Sequence, residues 1–411
     1  MKPSVTWSCA CVVLSAVGAV VVGCSSDPSP PATGTGHAGA PSGGAAPTAG
    51  AAGMAMAVAG AATGAGGATA GSTSAGAGGT PGTGGAGGTP GTGGAGGGAG
   101  GGSAGAASTG FQCPAGPYAA FTAPTAKATH VAGAPPNDAF NMNNFTNVEG
   151  PVWIGDSLYF SEMTGSNTIP PARILKIAPG GAVSVVVPDS GSNGLAVDGA
   201  GNLIAAVHKD GSISQIALPG GTATPLVSKF NNTRFTSPND LAIRSDGTIY
   251  FSDPQYQNNA NPQKGEHLYR VTPPPTRTPS IVPDAPSTPN GVTLSPDEKT
   301  LYVSGSGLKK FTVMTDGTLG AGSDFVVGSG GDGMAVDCAG NLYVAGSMGN
   351  AVRVYSSAGT LLGTIQADGS GTTTNVAFGG SDHKTLYITA QGNDGQRGVW
   401  SIPLMIPGFP Y

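Results

Sequence analysis

Six side chains that carry an oxygen recur at a fixed place in this sequence: Glu149, Asn193, Asn239, Asn290, Asp332 and Asn375. Each lies 9 to 11 residues before an apolar dipeptide that begins at Leu158, Leu203, Ile249, Leu301, Leu342 or Leu386. Those dipeptides are spaced by 45, 46, 52, 41 and 44 residues. Asn and Asp are common at turns, where they bond their own backbone, so one such residue means little. Six in phase are hard to explain as six separate turns. Neutral amide oxygens mixed with two carboxylates suit a hard divalent cation of irregular coordination, calcium above all, with Glu149 and Asp332 supplying the charge and Asn239 and Asn290 neutral ligands. Magnesium and manganese are alternatives, and zinc fits less well because no His or Cys belongs to the set. A cation so held can polarise a carbonyl while a nearby carboxylate activates water, which is enough for ester or lactone hydrolysis. The same ring could also hold a purely structural ion.

The elements that must position this ring are short strands separated by Gly and Asp turns. A period of forty to fifty residues built this way predicts an all-β chain, a β-propeller of six blades. The first strand of each blade lines the central channel, so equivalent residues at six strand entrances form one ring at one mouth. The sixth repeat is cut short after Val399–Ile402, and a strand from the region between Ala119 and Gly133 is expected to complete it, removing two open sheet edges.

Residues 1–23 read as an export leader: Lys2 precedes an apolar run from Ala10 to Val22, too short to span a bilayer. The run ends in Val21-Val22-Gly23-Cys24, which resembles a bacterial lipobox, so Cys24 is the expected lipidation site and the protein an exported lipoprotein of the cell envelope. From Ser25 to Gly110 the sequence is almost wholly Gly, Ala, Ser, Thr and Pro, with Asp27 its one formal charge; Gly78–Ala86 is repeated unchanged at Gly87–Ala95. Such a segment has too little apolar side chain to offset its ordering entropy, so 24–110 is read as a disordered linker with a span of ~50 Å. The globular part is then 111–411.

The net charge of -5 and the lack of a basic cluster argue against a nucleic-acid partner, and the domain is expected to act as a monomer. Beyond Cys24 only Cys113 and Cys338 remain, and two cysteines in an exported domain favour one disulfide, with two buried thiols as the alternative. Ser161 and Ser252 lack a neighbouring His and Asp constellation, and the Gly-X-Gly patterns sit in the linker or in turns, so a serine triad and a phosphate loop both fail on context.

Taken together, Glu149–Trp153, Ser237–Asp240 with Ile249–Pro254, Pro289–Val292 with Asp297, Asp332–Met334 with Asp337, and Thr374–Gly380 resemble the family of gluconolactonases, senescence marker protein and luciferin-regenerating enzyme. The resemblance runs through all six repeats in order. It implies a metal-dependent hydrolase of lactones or related esters, with Glu149, Asn290 and Asp332 on the metal, Asn239 facing metal and substrate, and Asp332 also acting as base or water-positioning group. Asn193, Asp240 and Asn375 would line the channel or support the ligands. The sequence departs from the family at Thr236 and Ser237, where Arg or Asn is common, and at Val207 before His208, where Glu-His is common. His208 is a candidate for orienting substrate or moving a proton, with a structural hydrogen bond as the plainer alternative. The rival reading is a non-catalytic envelope propeller that binds carbohydrate or peptide around a structural ion.

Overall fold

In the computed structural model, six four-stranded antiparallel units follow one another around an axis. The residues described are 111–132, 145–164, 171–256, 261–346, 349–393 and 395–409. The expectations for the leader, Cys24 and the linker fall on 1–110, outside them. Blade one comprises Phe145–Ile154, Ser157–Thr164, Ala172–Ile177 and Val183–Val187, and blade two Ser192–Val197, Leu203–Val207, Ser212–Ile216 and Ala223–Val227. Blade three is Leu241–Ile243, Ile249–Asp253, His267–Val271 and Pro279–Val282; blade four is Val292–Leu294, Thr300–Val303, Leu308–Thr312 and Ser323–Val326. Blade five is Met334–Val336, Leu342–Val344, Ala351–Tyr355 and Leu361–Gln366. Blade six takes Thr372–Gly379, Thr385–Asn393 and Gly398–Pro403, and its outermost strand is Thr129–Ala132.

Burial explains why these sequences are strands in this order. The inner strands of blades three, four and five are Leu-Ala-Ile, Val-Thr-Leu and Met-Ala-Val, buried throughout because each is covered by neighbouring blades on both faces. The outermost strands, such as Val183–Val187 and Ala223–Val227, leave two and three of their five residues exposed and bury one each. Turns between the first two strands are set by side chains. Asp198 Oδ1 accepts from the N–H groups of Ala200 and Asn202, both at 2.9 Å, and Asp337 Oδ1 does the same for Ala339 and Asn341 at 3.0 and 2.9 Å. These are Asx-type turns repeated at equivalent places in blades two and five.

Closure is visible in the packing. Six apolar clusters of buried residues fill the six gaps between blades, including one between blades six and one built on Val148, Leu158, Phe160, Leu175 and Val399. Blades one and six are also joined directly, through Phe145 with Asn393 and Thr146 with Gly392, which makes one eight-stranded sheet. As expected, an N-terminal strand completes the last blade: Thr129 pairs with Ser401 and His130 with Trp400. The fully buried Trp400 donates its indole N–H to the Asp368 carbonyl at 2.8 Å.

The C-terminal segment bonds to the far end of the inner strand of blade five and to the turn of blade six at His383. Phe409 N–H donates to Val336 O at 2.9 Å and Cys338 N–H to Pro407 O at 2.8 Å. Phe409 is buried and packs against Phe111. Cys113 is joined to Cys338 in a disulfide that closes a loop of 225 residues, with Cα atoms 5.5 Å apart. Cys338 follows the inner strand of blade five at its far end, a full strand length from Asp332. Replacement of Cys113 by Ser should therefore lower stability by about 2–5 kcal/mol, read in a denaturant titration, while leaving divalent-cation affinity unchanged.

Candidate metal and substrate site

The six ring residues occupy equivalent backbone positions by two local routes. Asn239, Asn290 and Asp332 sit two residues ahead of their inner strands, and each donates its N–H to the second strand, to Ser252 O, Ser304 O and Ala345 O, all at 2.9 Å. The following residue in each case, Asp240, Gly291 or Gly333, accepts the return bond at 3.0 Å. Glu149, Asn193 and Asn375 lie instead within longer inner strands, each beside a shift in pairing register. Such irregularities re-aim a side chain, so the strand-entrance description holds for three of the six positions and a bulge replaces it at the others.

Neighbouring blades are then stitched together at this ring. Gly194 N–H donates to Asn239 O and Gly333 N–H to Thr374 O, both at 2.7 Å. Ser252 and Ser304 on the second strands reach across to the next blade, donating to Asn290 O and Asp332 O at 2.6 Å. The approach is so close that a Cβ on Gly291 would stand 2.3 Å from Asp332 O, and one on Gly333 would stand 1.8 Å from the Asn375 side chain. Only glycine fits at either place.

The electrostatics are unusual. Glu149 and Asp240 are buried, Asp332 is half-buried at the mouth, and none of the three takes part in an ion pair among the described residues. Burial, then repulsion from Asp332 and Asp240, holds the Glu149 carboxyl well above the usual range. Burial, then Asp240, pushes Asp332 up to about 8, and burial pushes Asp240 up to about 7.

Hydrogen bonds sort the ring into two groups. Asp240 has both oxygens engaged: Leu241 N–H donates to Oδ1 at 2.9 Å and Val292 N–H to Oδ2 at 3.1 Å. Asn375 has its Oδ1 taken by Val376 N–H at 2.8 Å, and its amide serves as hydrogen-bonding neighbour to Glu149 and Asp240. Asn193 is paired with His208, Nδ2 to Nε2 at 3.2 Å, and both are buried. Burial holds the His208 imidazole down to about 3, so it is neutral across the physiological range. Glu149 and Asp332 meet two donors each, the Gly150 N–H with the Asn375 amide and the Gly333 N–H with the Asn290 amide, against three for Asp240; with Asn239 and Asn290, from blades three and four, they keep acceptor capacity for another partner. Among the described residues no three His, Cys, Asp or Glu side chains form a metal-binding group by themselves, so a cation here must draw on amide oxygens. Two carboxylates with two amides are a suitable donor set for a hard divalent ion.

With this geometry in view, comparison with known proteins is informative. The SMP-30/Gluconolactonase/LRE-like region matches residues 148–392. The chain belongs to this family. A gluconolactonase of Zymomonas mobilis is 29% identical over 283 residues, covering 60% of this chain and 76% of that protein. Among solved structures, a gluconolactonase of Xanthomonas campestris is 29% identical with a TM-score of 0.55, covering 69% of this chain and 99% of its own. The calcium-binding protein regucalcin of Agrobacterium tumefaciens has a TM-score of 0.54, covers 71% of this chain and 98% of its own, and at 18% identity shares the fold.

Against the family pattern, the departures at Thr236 and Ser237 have a structural use. Their N–H groups donate to the Asp253 carboxylate at 2.9 and 2.6 Å, and the Ser237 hydroxyl to Pro254 O at 2.6 Å. Asp253 is fully buried, and its carboxyl is raised to about 6 by burial against those bonds. It braces the turn that delivers Asn239 and Asp240. Sequence reasoning gave it no role, although a carboxylate ending a wholly buried strand must find donors.

The charge crowding has a pH consequence. Asp240 and Asp332 have folded values near 7 and 8 against an ordinary value of about 3.9. Their contribution to metal-free stability is complete below about pH 4 and is lost as pH rises through 7 to 8. With chelator present, the melting temperature should fall between pH 5 and 9. Calcium should reverse the fall, and Asp332→Asn should flatten it.

Proposed function

We propose that this protein is a lactonase-type hydrolase whose ring of Glu149, Asn239, Asn290 and Asp332 holds a divalent cation, calcium by the chemistry of its donors. The observation that supports this most is the crowding in the ring: two carboxylates from blades one and five, Glu149 and Asp332, repel one another with no cationic partner among the described residues, beside the neutral amides of Asn239 and Asn290. The gluconolactonase relatives favour a lactone as substrate. The regucalcin neighbour is itself described as calcium-binding, which is compatible with the choice of ion.

A bound divalent cation would supply Lewis-acid polarisation of the lactone carbonyl. The protein side chains do the rest. Asp332, half-open to the mouth, takes the proton of the attacking water as the water oxygen bonds to the carbonyl carbon. The ring C–O bond then breaks, and the proton returns to the departing ring oxygen, giving the hydroxy acid. Asp240 and Asn375 fix the neighbours of the reacting groups through their backbone and amide bonds. Asn239 has its side chain free to contact substrate. Neutral His208, held by Asn193, can orient a substrate hydroxyl by hydrogen bonding rather than by charge.

The test is turnover of sugar and aliphatic lactones by the full chain, with calcium and with chelator, beside Asp332→Ala. We expect calcium-dependent hydrolysis that falls at least 100-fold in the variant with the fold kept. A chelator-sensitive melting temperature without turnover of any lactone would instead favour a binding propeller with a structural ion. Export and lipidation of Cys24 belong to the same proposal. Cys24→Ala should move the protein from the membrane to the soluble fraction on cell fractionation.

A further inference from the structure

His208 follows the second strand of blade two and is anchored through its own backbone. Its N–H donates to Gly191 O at 2.8 Å, while its carbonyl accepts from Gly211 N–H at 3.3 Å and from Arg234 Nη2 at 3.0 Å. The side chain is buried and makes one hydrogen bond, between Nε2 and Asn193 Nδ2 at 3.2 Å; its Nδ1 is shut off from solvent without a partner. That bond joins two nitrogens, which fixes its direction. An amide nitrogen only donates, so Nε2 is the bare nitrogen of a neutral ring and the imidazole proton sits on Nδ1. Asn193 lies between the ring residues of blades one and three: a Cβ on Gly150 would stand 2.5 Å from Asn193 O, and Gly194 N–H donates to Asn239 O at 2.7 Å. Its Oδ1 takes no hydrogen bond among the described residues, and unlike His208 Nδ1 it is not sealed from solvent.

We propose that His208 is a positioning residue that holds the Asn193 amide with its NH2 turned outward, and so presents Asn193 Oδ1 to the channel as a further oxygen for the cation. A side-chain amide has an oxygen at one end and an NH2 at the other, and only the oxygen ligates. The imidazole takes the NH2 end. Calcium accepts about six to eight oxygens, more than Glu149, Asn239, Asn290 and Asp332 supply when each gives one. Asn193, in phase with them and between Glu149 and Asn239, is placed to add another. Without the imidazole nitrogen the amide is free to rotate, and an NH2 turned inward repels a cation. Groups that hold a metal ligand in this way typically change affinity about 10- to 100-fold. The inference rests on the cation reading of the ring, and it gives blade two a part in the site.

Two measurements on the full chain test it without reference to turnover. Histidine-selective nitrogen NMR reads the tautomer, with His208→Gln assigning the signal. The proton should lie on Nδ1 in the parent and move to Nε2 in Asn193→Asp, whose carboxylate only accepts. A parent signal from the Nε2–H form would overturn the proposal. Calorimetric titration with calcium chloride alone reads the consequence: His208→Phe should weaken binding about 10-fold, and His208→Gln, which returns a carbonyl acceptor to Asn193, should bind more tightly than His208→Phe. In an Asn193→Asp background, where both ends are oxygen, the loss caused by His208→Phe should vanish. Equal loss in both backgrounds, or no loss beside Asn193, would overturn the proposal while leaving the cation site intact. A parent protein that binds no calcium would overturn the proposal and the cation site together.

Discussion

Three carboxylates, Glu149, Asp240 and Asp332, are brought to one mouth of the channel with no lysine or arginine paired to them among the described residues. Removing a charge from water carries a penalty of several kcal/mol even after relaxation, so this arrangement must be relieved. The fold does so unequally. Asp240 receives two backbone N–H groups, one from its own blade and one from the next, and bonds to charged acceptors are each worth about 1.5–3 kcal/mol. Glu149 has the Gly150 N–H and the Asn375 amide. Asp332 has the Gly333 N–H and the Asn290 amide, and remains half-open. What is left over is a demand for positive charge between blades one and five, and a divalent cation is the simplest way to meet it.

That demand can persist only because the ring around it is stiff. Each blade would fail alone, since its inner strand is apolar on both faces and needs two neighbours. Closure supplies the last interface, through the Thr129–Ala132 strand and the seam between Phe145 and Asn393. The hydroxyls of Ser252 and Ser304 and the missing side chains of Gly291 and Gly333 bring the backbones that carry the ring residues into direct contact. The same contacts that complete the core thus set the spacing of the ring side chains. This is why the ring residues fall at strand entrances and bulges rather than on outer loops: those are the points where successive blades touch.

The sequence also carried warnings that were readable only in part. Val197-Asp198 with Asn202-Leu203 and Val336-Asp337 with Asn341-Leu342 repeat one turn, and the structure uses them identically. Asp253 and Glu266 look like any other polar residue near a strand end, yet one braces Asn239 and the other Gln255. Their partners are backbone N–H groups more than ten residues away, which no local pattern reveals. His208 was likewise ambiguous in sequence, and burial beside Asn193 is what makes it neutral.

By itself the sequence determined the all-β repeat, the blade count, the use of an N-terminal strand to close the last blade and the identity of the six ring residues. These follow from periodicity, because a side chain at the same phase of every repeat must occupy the same place in every blade. Only the tertiary structure decided how many protein donors meet each ring oxygen. Asn375 resembles Asn290 in type and phase, and Asp240 resembles Asp332 in type at the next position of its repeat, but they differ in the N–H groups that meet them from their own and adjoining blades. Those contacts depend on how neighbouring blades dock, a long-range property that spacing along the chain does not encode.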